Sequence, residues 1–313
     1  MTETRSYYGR PIVKEPVWKP EIPTYFFTGG TAGAAATLTL AARLAGNDAL
    51  ARRALYVNAA AITVSPLLLI KDLGRPQRFL NMLRVFKVTS PMSVGTWIVS
   101  ASGTASGIAA ACEIADVLPR VKLAAESVAG LLGPFLSTYT AALVADSVVP
   151  AWHGARRELP FVFAGSSCAG AGGLIAAVTP SAVSGPARRL ALAGAALELA
   201  STKAMEDRLG ELVGKPYHEG SGGTYAKAAK AATAAGAALM AVAGRRRFGA
   251  IVAGSLLAAG SAFERFAVYH AGKQSAANPL ATSIPQRDRA EAQRNRNAKS
   301  PPTTATPKTS HAT

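Results

Sequence analysis

The sequence is poor in charged and aromatic residues. Only 17% of its 313 residues are charged and 7% are aromatic, whereas 49% are hydrophobic. Such a low charge excludes disorder over most of the chain and leaves either a large Ala-rich soluble core or a membrane protein. The polar residues concentrate at the two ends. We therefore divide the chain into a polar N-terminal segment (1–24), an apolar domain (25–272) and a basic tail (273–313) that is predicted to be disordered.

Cysteine and histidine are also scarce, which limits the metal chemistry expected of this chain. Cys112 and Cys168 lie about fifty residues apart in apolar runs, so the sequence offers neither a disulfide framework nor a CxxC metal motif. The four histidines lie in loops, at the end of an apolar run or in the tail, whereas a membrane cytochrome b needs them facing one another within its helices. We expect no haem or iron–sulfur cluster in this chain.

Eight apolar stretches of about the length that a bilayer requires alternate with short loops rich in Arg, Pro and Gly. Their approximate bounds are 25–45, 54–70, 92–115, 124–149, 159–178, 190–205, 226–243 and 249–269. They are apolar nearly all round, whereas the helices of a soluble bundle would show a polar stripe. The sequence therefore predicts an all-α integral membrane protein with about eight transmembrane helices, and leaves open an arrangement as two four-helix bundles.

The basic residues are unequally divided between the two sides of the predicted membrane domain. Sixteen Lys and Arg fall on the side of the termini and ten on the other, before the basic tail is counted. Because cytoplasmic loops are enriched in Lys and Arg, we expect both termini to be cytoplasmic and the protein to lie in the cytoplasmic membrane. The net charge of +16 is explained by this topology and by anionic lipid, and nucleic acid is not an expected partner.

Several polar side chains lie at or within the predicted spans. An ionisable group at the bilayer centre costs at least ~2.5 kcal/mol, so each one is a functional candidate. Those toward the cytoplasmic side are Glu21, Tyr25, Asp72, Tyr139, Asp146, Glu206 and Glu264, and Glu198 lies deeper. We interpret the first group as the lining of one pocket at the cytoplasmic face.

Some of these carboxylates have a simpler structural interpretation. Asp72 lies beside Lys71, and Glu264 beside Arg265, so either carboxylate could belong to an ordinary interfacial ion pair. Both interpretations stay open at the level of the sequence.

The fourth apolar stretch carries two of the candidates. Asp146 has no basic neighbour within four residues, and it follows Tyr139 by seven positions, which would place both on one helical face about two turns apart. Tyr139 could equally be an interfacial or packing tyrosine.

Three groups of motifs occur in order along the first half of the chain. They are YFFTGGTAG (25–33), DLGRPQRF (72–79) with SPMSVGTW (90–97), and YTAAL (139–143) with PAW (150–152) and LPFVF (159–163). These strings resemble the signatures of the NrfD/polysulfide reductase membrane-subunit family. The second half carries little that matches beyond its helical hydropathy.

The resemblance implies a membrane subunit of a respiratory oxidoreductase complex that binds a quinone or quinol, such as menaquinone or ubiquinone. Its implied partners are a ferredoxin-like subunit with four [4Fe–4S] clusters and a molybdenum- or tungsten-pterin catalytic subunit. Tyr139 matches the quinone-binding tyrosine of the family's fourth helix. At the start of the first helix, where some members have Asn or His, this chain has Pro20-Glu21-Ile22-Pro23, so Glu21 is only a candidate there, together with Tyr25.

Quinone chemistry transfers two protons with two electrons, and an iron–sulfur partner can accept only the electrons. We therefore expect Tyr139 to hydrogen-bond a quinone carbonyl and Asp146 or Asp72 to relay protons to the cytoplasm. A longer proton route could include Glu198, Glu206 and Glu264. Two alternatives stay open: a multispan secondary transporter that uses its buried carboxylates, and a purely structural membrane anchor. Whether the subunit itself is quinone-reactive or non-catalytic is not decided by the sequence.

Overall fold

The chain folds into long helices that run through the apolar domain. The computed structural model describes residues 12–284 and, beyond them, Arg287, Glu291 and Arg294. Within that part the regular structure is helical, without strands, which confirms the all-α prediction. The helices are α1 (Glu21–Leu44), α2 (Asp48–Leu73), α3 (Pro76–Met82), α4 (Pro91–Ala115), α5 (Pro119–Ala145), α6 (Pro150–Gly154), α7 (Leu159–Val178), α8 (Gly185–Gly214), α9 (Gly220–Ala243) and α10 (Arg247–Ala277), with a 3₁₀ turn at Lys215–Tyr217.

Eight of these helices correspond to the eight apolar stretches, and the chain is a multi-pass membrane protein. Helices α2, α4, α5, α7 and α10 are long and apolar enough to cross a membrane. Helices α1, α8 and α9 have 24, 30 and 24 residues, which at 1.5 Å per residue is also sufficient length. Their composition is less apolar, so the number of eight spans stays a prediction.

Local sequence signals explain where several helices begin and end. Proline at the start of α3, α4, α5, α6 and α7 fits the first helical turn, where its missing N–H is not needed. Asn47 accepts a hydrogen bond from the Leu50 N–H and thereby caps α2. Gly74 ends α2 with φ 70°, a left-handed conformation that favours glycine. Helix α8 is interrupted at Gly210, where φ is 67° and ψ is −176°.

The long helices pack as two groups of four, as the sequence left open. Helices α1, α2, α4 and α5 contact one another in one group, and α7, α8, α9 and α10 in the other. Helix α7 joins the groups through α1 and α5. Glycine permits the closest contacts: a Cβ at Gly33 of α1 would lie 2.4 Å from the carbonyl oxygen of Gly133 in α5.

Polar contacts define the two ends of the helix assembly. At the end where α1 begins, which we call the N-terminal face, Lys71 pairs with Glu21 at 2.9 Å. The Ala151 N–H donates to Ser275 Oγ at the same face. At the opposite face Asn47 Nδ2 donates to the carbonyl of Val183. Successive long helices therefore run in opposite directions.

An ion-pair network closes the opposite face of the first group. Arg43 donates to both carboxylate oxygens of Glu126, at 2.8 and 2.9 Å, and also pairs with Glu113 and Asp48. Glu113 accepts further contacts from Arg52 and Lys122. Because Arg43, Asp48, Glu113 and Glu126 belong to four different helices, this network links α1, α2, α4 and α5.

The boundaries of the terminal segments differ from the sequence prediction. Helix α1 begins at Glu21, inside the polar segment assigned to residues 1–24. Helix α10 continues to Ala277, and residues 279–284 are also helical, beyond the predicted boundary at 272. Lys273 pairs with Glu15 at 3.1 Å. Most of the tail predicted to be disordered lies outside the described residues.

Candidate functional site

A pocket lies between α1, α2, α4 and α5 at the N-terminal face. Its lining is mainly aromatic and apolar, with polar groups from Tyr25, Asp72, Thr96 and Tyr139. Three of these four residues were candidates from the sequence, and three different helices bring them together. A largely apolar pocket with a few convergent polar groups is typical of a small-molecule site.

The free volume of this pocket is about 60 Å³, which is room for a few water molecules but not for a large ring. Two of the lining side chains, Met82 and Met92, are unbranched and can adopt several rotamers. Met92 is 45% exposed. A ring-shaped ligand would therefore enter by displacing these flexible side chains.

Tyr25 places a buried hydroxyl group beside the pocket. The residue is 1% exposed, and its hydroxyl has no hydrogen-bond partner among the described residues. Buried polar atoms are nearly always hydrogen-bonded, so an orphaned hydroxyl at a pocket indicates a missing partner such as a ligand or water. The ring itself is held by the neighbouring aromatic ring of Phe26, at 6.0 Å between centroids.

Tyr139 lies in the pocket because α4 carries a glycine opposite it. A Cβ at Gly95 would lie 2.1 Å from Cε2 of the Tyr139 ring, far inside van der Waals contact. Gly95 belongs to the SPMSVGTW string, so the structure gives a physical reason for that glycine. Tyr139 is partly buried and packs against a hydrophobic core to which both helix groups contribute.

Asp72 and Glu21 occupy different environments. Asp72 is partly exposed, lines the pocket and accepts a hydrogen bond from the backbone N–H of Lys19 at 3.2 Å. Lys71 pairs with Glu21 rather than with Asp72, so the ion pair considered for Asp72 and Lys71 is not formed. The hydrogen bond from Lys71 lowers the pKa of Glu21. Glu21 is thus held as a carboxylate in an ion pair and does not line the pocket.

Asp146 is not brought together with Tyr139. Helix α5 ends at Ala145, and Asp146 is its exposed C-terminal cap. It borders a separate, polar pocket with His153 and Arg156. The seven-residue spacing fails to align the two side chains because the chain leaves the helix at Asp146.

The three candidates of the second helix group divide into a buried pair and a surface ion pair. Glu198 is 1% exposed and Glu264 is 2% exposed. Glu206 pairs with Lys230 at 2.8 Å. None of these residues lines the pocket of Tyr25 and Tyr139, from which the second group is separated by the rings of Phe26 and Phe163, 6.0 Å apart.

Sequence reasoning did not select the tryptophans that shape the pocket. Trp18, from the segment before α1, lines it and stacks on Trp152 at 5.2 Å between ring centroids. Trp152 Nε1 donates to the carbonyl of Val268 at 2.6 Å. Its ring packs on Gly272, where a Cβ would lie 1.9 Å away. The PAW string was recognised in the sequence. Its tryptophan does not line the pocket but supports Trp18, which does.

The fold and the pocket define a class: a multi-pass, all-helical membrane protein with an aromatic pocket at one membrane face. The family model described as polysulphide reductase, NrfD, matches residues 12–180, more than half of the chain. The chain belongs to the NrfD polysulphide reductase family, which confirms the predicted resemblance, and it is a membrane subunit of polysulfide-reductase-like complexes. No curated protein matches the sequence. The matched range contains the whole first helix group and α7, whereas α8, α9 and α10 lie outside it.

Proposed function

We propose that the pocket between α1, α2, α4 and α5 binds the head group of a quinone or quinol. The family membership and the orphaned Tyr25 hydroxyl support this proposal. The Tyr25 hydroxyl is a buried donor without an acceptor among the described residues, and a quinone carbonyl is an acceptor. The residues present therefore fit the group. When bound, the quinone or quinol supplies two-electron, two-proton redox chemistry. Tyr25 and Tyr139 would hold the carbonyl oxygens, and the aromatic wall of Trp18 and Phe26 would hold the ring.

The pocket residues also have to move protons, because the electron-carrying partner does not. Asp72 lines the same pocket as the two tyrosines, and it is partly exposed at the N-terminal face. A carboxylate in that position can exchange a proton between the pocket and water. We assign the proton-exchanging role to Asp72 in preference to Asp146, since Asp146 borders a different pocket.

The partner in this proposal is a ferredoxin-like subunit with four iron–sulfur clusters, which serves a molybdenum- or tungsten-pterin catalytic subunit. The exposed connection around α3 presents Arg75, Arg78, Arg84 and Lys87 next to the pocket. A basic surface would attract and orient an acidic patch on a partner. The excess of basic residues on this side supports a cytoplasmic location for this face and for both termini.

The experiment removes single hydroxyl groups from the pocket in the assembled complex. Tyr25→Phe and Tyr139→Phe keep the ring and delete the proposed hydrogen bond, which is worth on the order of 1 kcal/mol. We expect each variant to raise the apparent KM for a quinone analogue about five-fold, and Tyr56→Phe to leave it unchanged. Tyr56 is a matched control because it is 38% exposed and lies in the other half of α2.

Two measurements complete the test. Electron transfer to a soluble dye that bypasses the membrane subunit should be the same in all three variants. Unchanged kinetics in both pocket variants would contradict the proposed site. Purification of the chain without an iron–sulfur and pterin partner would favour the transporter alternative.

A further inference from the structure

The second helix group encloses ionisable side chains that the proposed quinone pocket does not use. Glu198 of α8 is 1% exposed, and Glu264 and Arg265 of α10 are 2% and 0% exposed. We call these three residues the buried charge cluster. Charged side chains at membrane depth are costly and usually have a function or a full set of partners. Within the part of the chain that the structure describes, this cluster lacks a full set of hydrogen-bond partners.

The unsatisfied atoms belong to both the acid and the base. Arg265 Nη2 donates to the carbonyl of Phe163 and to Ser167 Oγ, each at 2.9 Å, but its Nε and Nη1 have no partner among the described residues. Glu198 Oε1 accepts a hydrogen bond from Thr233 at 3.2 Å, and its Oε2 has no partner there either. A buried, unpaired carboxylate oxygen can accept a proton or a hydrogen bond from water, whereas unpaired guanidinium N–H groups can donate to water.

The charges of the cluster do not balance. The cluster contains two buried carboxylates and one buried guanidinium, and among the described residues the guanidinium hydrogen-bonds Phe163 and Ser167 rather than either carboxylate. The other titratable groups facing the cluster are Glu206 and Lys230, which pair with each other at 2.8 Å, and the buried hydroxyl of Tyr217. With all carboxylates ionised the cluster would carry one uncompensated negative charge in a medium of low dielectric constant. One bound proton removes that charge.

Polar side chains continue from the cluster toward the N-terminal face. Thr202 and Glu206 follow Glu198 along α8, and the hydroxyl of Thr202 is buried without a partner among the residues described. Lys230 of α9, whose side chain is 37% exposed, holds Glu206 at the end of this series. The series therefore extends from the cluster toward the N-terminal face.

On the side of the cluster toward the opposite face, small residues bring α8 and α10 into close contact with α7. A Cβ at Gly194 of α8 would lie 2.4 Å from the Ala169 nitrogen of α7, and a Cβ at Gly254 of α10 would lie 2.3 Å from the Gly173 oxygen of α7. Ala191 is fully buried in the same layer. Backbones in such close contact leave little room for water between α7 and either α8 or α10 on this side of the cluster.

We propose that the buried charge cluster holds one exchangeable proton on Glu198 or Glu264, and that this proton exchanges with the N-terminal face rather than with the opposite face. A metal cation is the less suitable ligand, because the Arg265 guanidinium would repel it. This inference does not depend on quinone binding, since it concerns a different helix group. It adds a proton site outside the range matched by the family model.

Infrared spectroscopy of the purified complex tests the charge balance directly. The intact complex should show a protonated carboxyl band that shifts in D₂O. Glu198→Gln leaves one carboxylate opposite one guanidinium, and so does Glu264→Gln. Each of these variants should therefore lose the band. Arg265→Gln leaves two carboxylates without a cation and should gain a second protonated carboxyl.

The exposed Asp207, which pairs with Lys203 on the same helix, provides the control. Asp207→Asn should leave the band unchanged. The proposal would be overturned if the unsubstituted complex showed no protonated carboxyl at any pH at which it remains intact, a result that needs no variant. A band that survives both glutamine substitutions would also overturn it. Loss of the band on addition of Na⁺ at constant pH would instead assign the site to a metal cation.

Discussion

Gly95→Ala is the substitution whose effect on the pocket follows most directly from the structure. The new Cβ would lie 2.1 Å from Cε2, 2.5 Å from Cδ2 and 3.0 Å from Cζ of the Tyr139 ring. Carbon atoms in good contact are separated by about 3.5 Å or more, so the ring must move by about 1.4 Å. The substitution thus displaces Tyr139 without changing any polar group.

The functional loss follows from that displacement. A misplacement of about 1 Å at a reacting site can cost on the order of 10²-fold in rate. We expect turnover with a quinone analogue to fall between ten- and a hundred-fold, more than in Tyr139→Phe, which removes only the hydroxyl. Electron transfer from the partner subunits to a soluble dye should be unaffected.

Helix α4 offers a matched control in Gly107→Ala. A Cβ at Gly107 meets nothing within 4 Å, so the same substitution on the same helix leaves the packing intact. Turnover should remain at the unsubstituted value, and the helix should gain slightly in stability, since glycine is less favourable than alanine in a helix by roughly 0.5–1 kcal/mol. Equal turnover in Gly95→Ala and Gly107→Ala, with both complexes assembled, would refute the assignment of Tyr139 to the quinone site.

Two further predictions concern the carboxylates and the ion-pair network. Asp72→Asn should lower the maximal rate of quinone turnover in a steady-state assay, and Asp146→Asn should leave it nearly unchanged. The reason is that only Asp72 lines the pocket of the tyrosines. The opposite order of effects would assign the proton-exchanging role to Asp146. Arg43→Gln should destabilise the protein by about 3–5 kcal/mol, because it leaves the fully buried Glu126 carboxylate without its bidentate partner. Thermal unfolding of the purified complex measures this loss, with Lys203→Gln, from an exposed ion pair, as the control that should change little.

The sequence by itself determined the elements of the fold. Long apolar runs can satisfy their backbone only as helices in a membrane, and proline and glycine mark many of their ends. The predicted stretch 159–178 coincides with α7, and α4 differs from its prediction by one residue at its start. The ordered motifs of the first half also identified the family. These are local properties, and no knowledge of packing is needed to read them.

Only the tertiary structure decided which candidate side chains meet. Tyr25, Asp72 and Tyr139 lie on three helices and share a pocket because of how those helices are rotated about their axes. That rotation is set by contacts between residues far apart in the sequence, in which a glycine allows close approach, such as Gly33 with Gly133 and Gly95 with Tyr139. Periodicity along one helix does not contain this information.

The same reason explains the candidates that did not join the pocket and the surroundings of Arg265. Glu21 forms an ion pair with Lys71, and Asp146 lies beyond the last turn of its helix. Arg265 resembles an ordinary interfacial arginine in the sequence, yet it is fully buried with two glutamates from two helices. The sequence of a helix shows which residues are polar. Only the packing of the eight long helices determines which of those residues face lipid, water or one another.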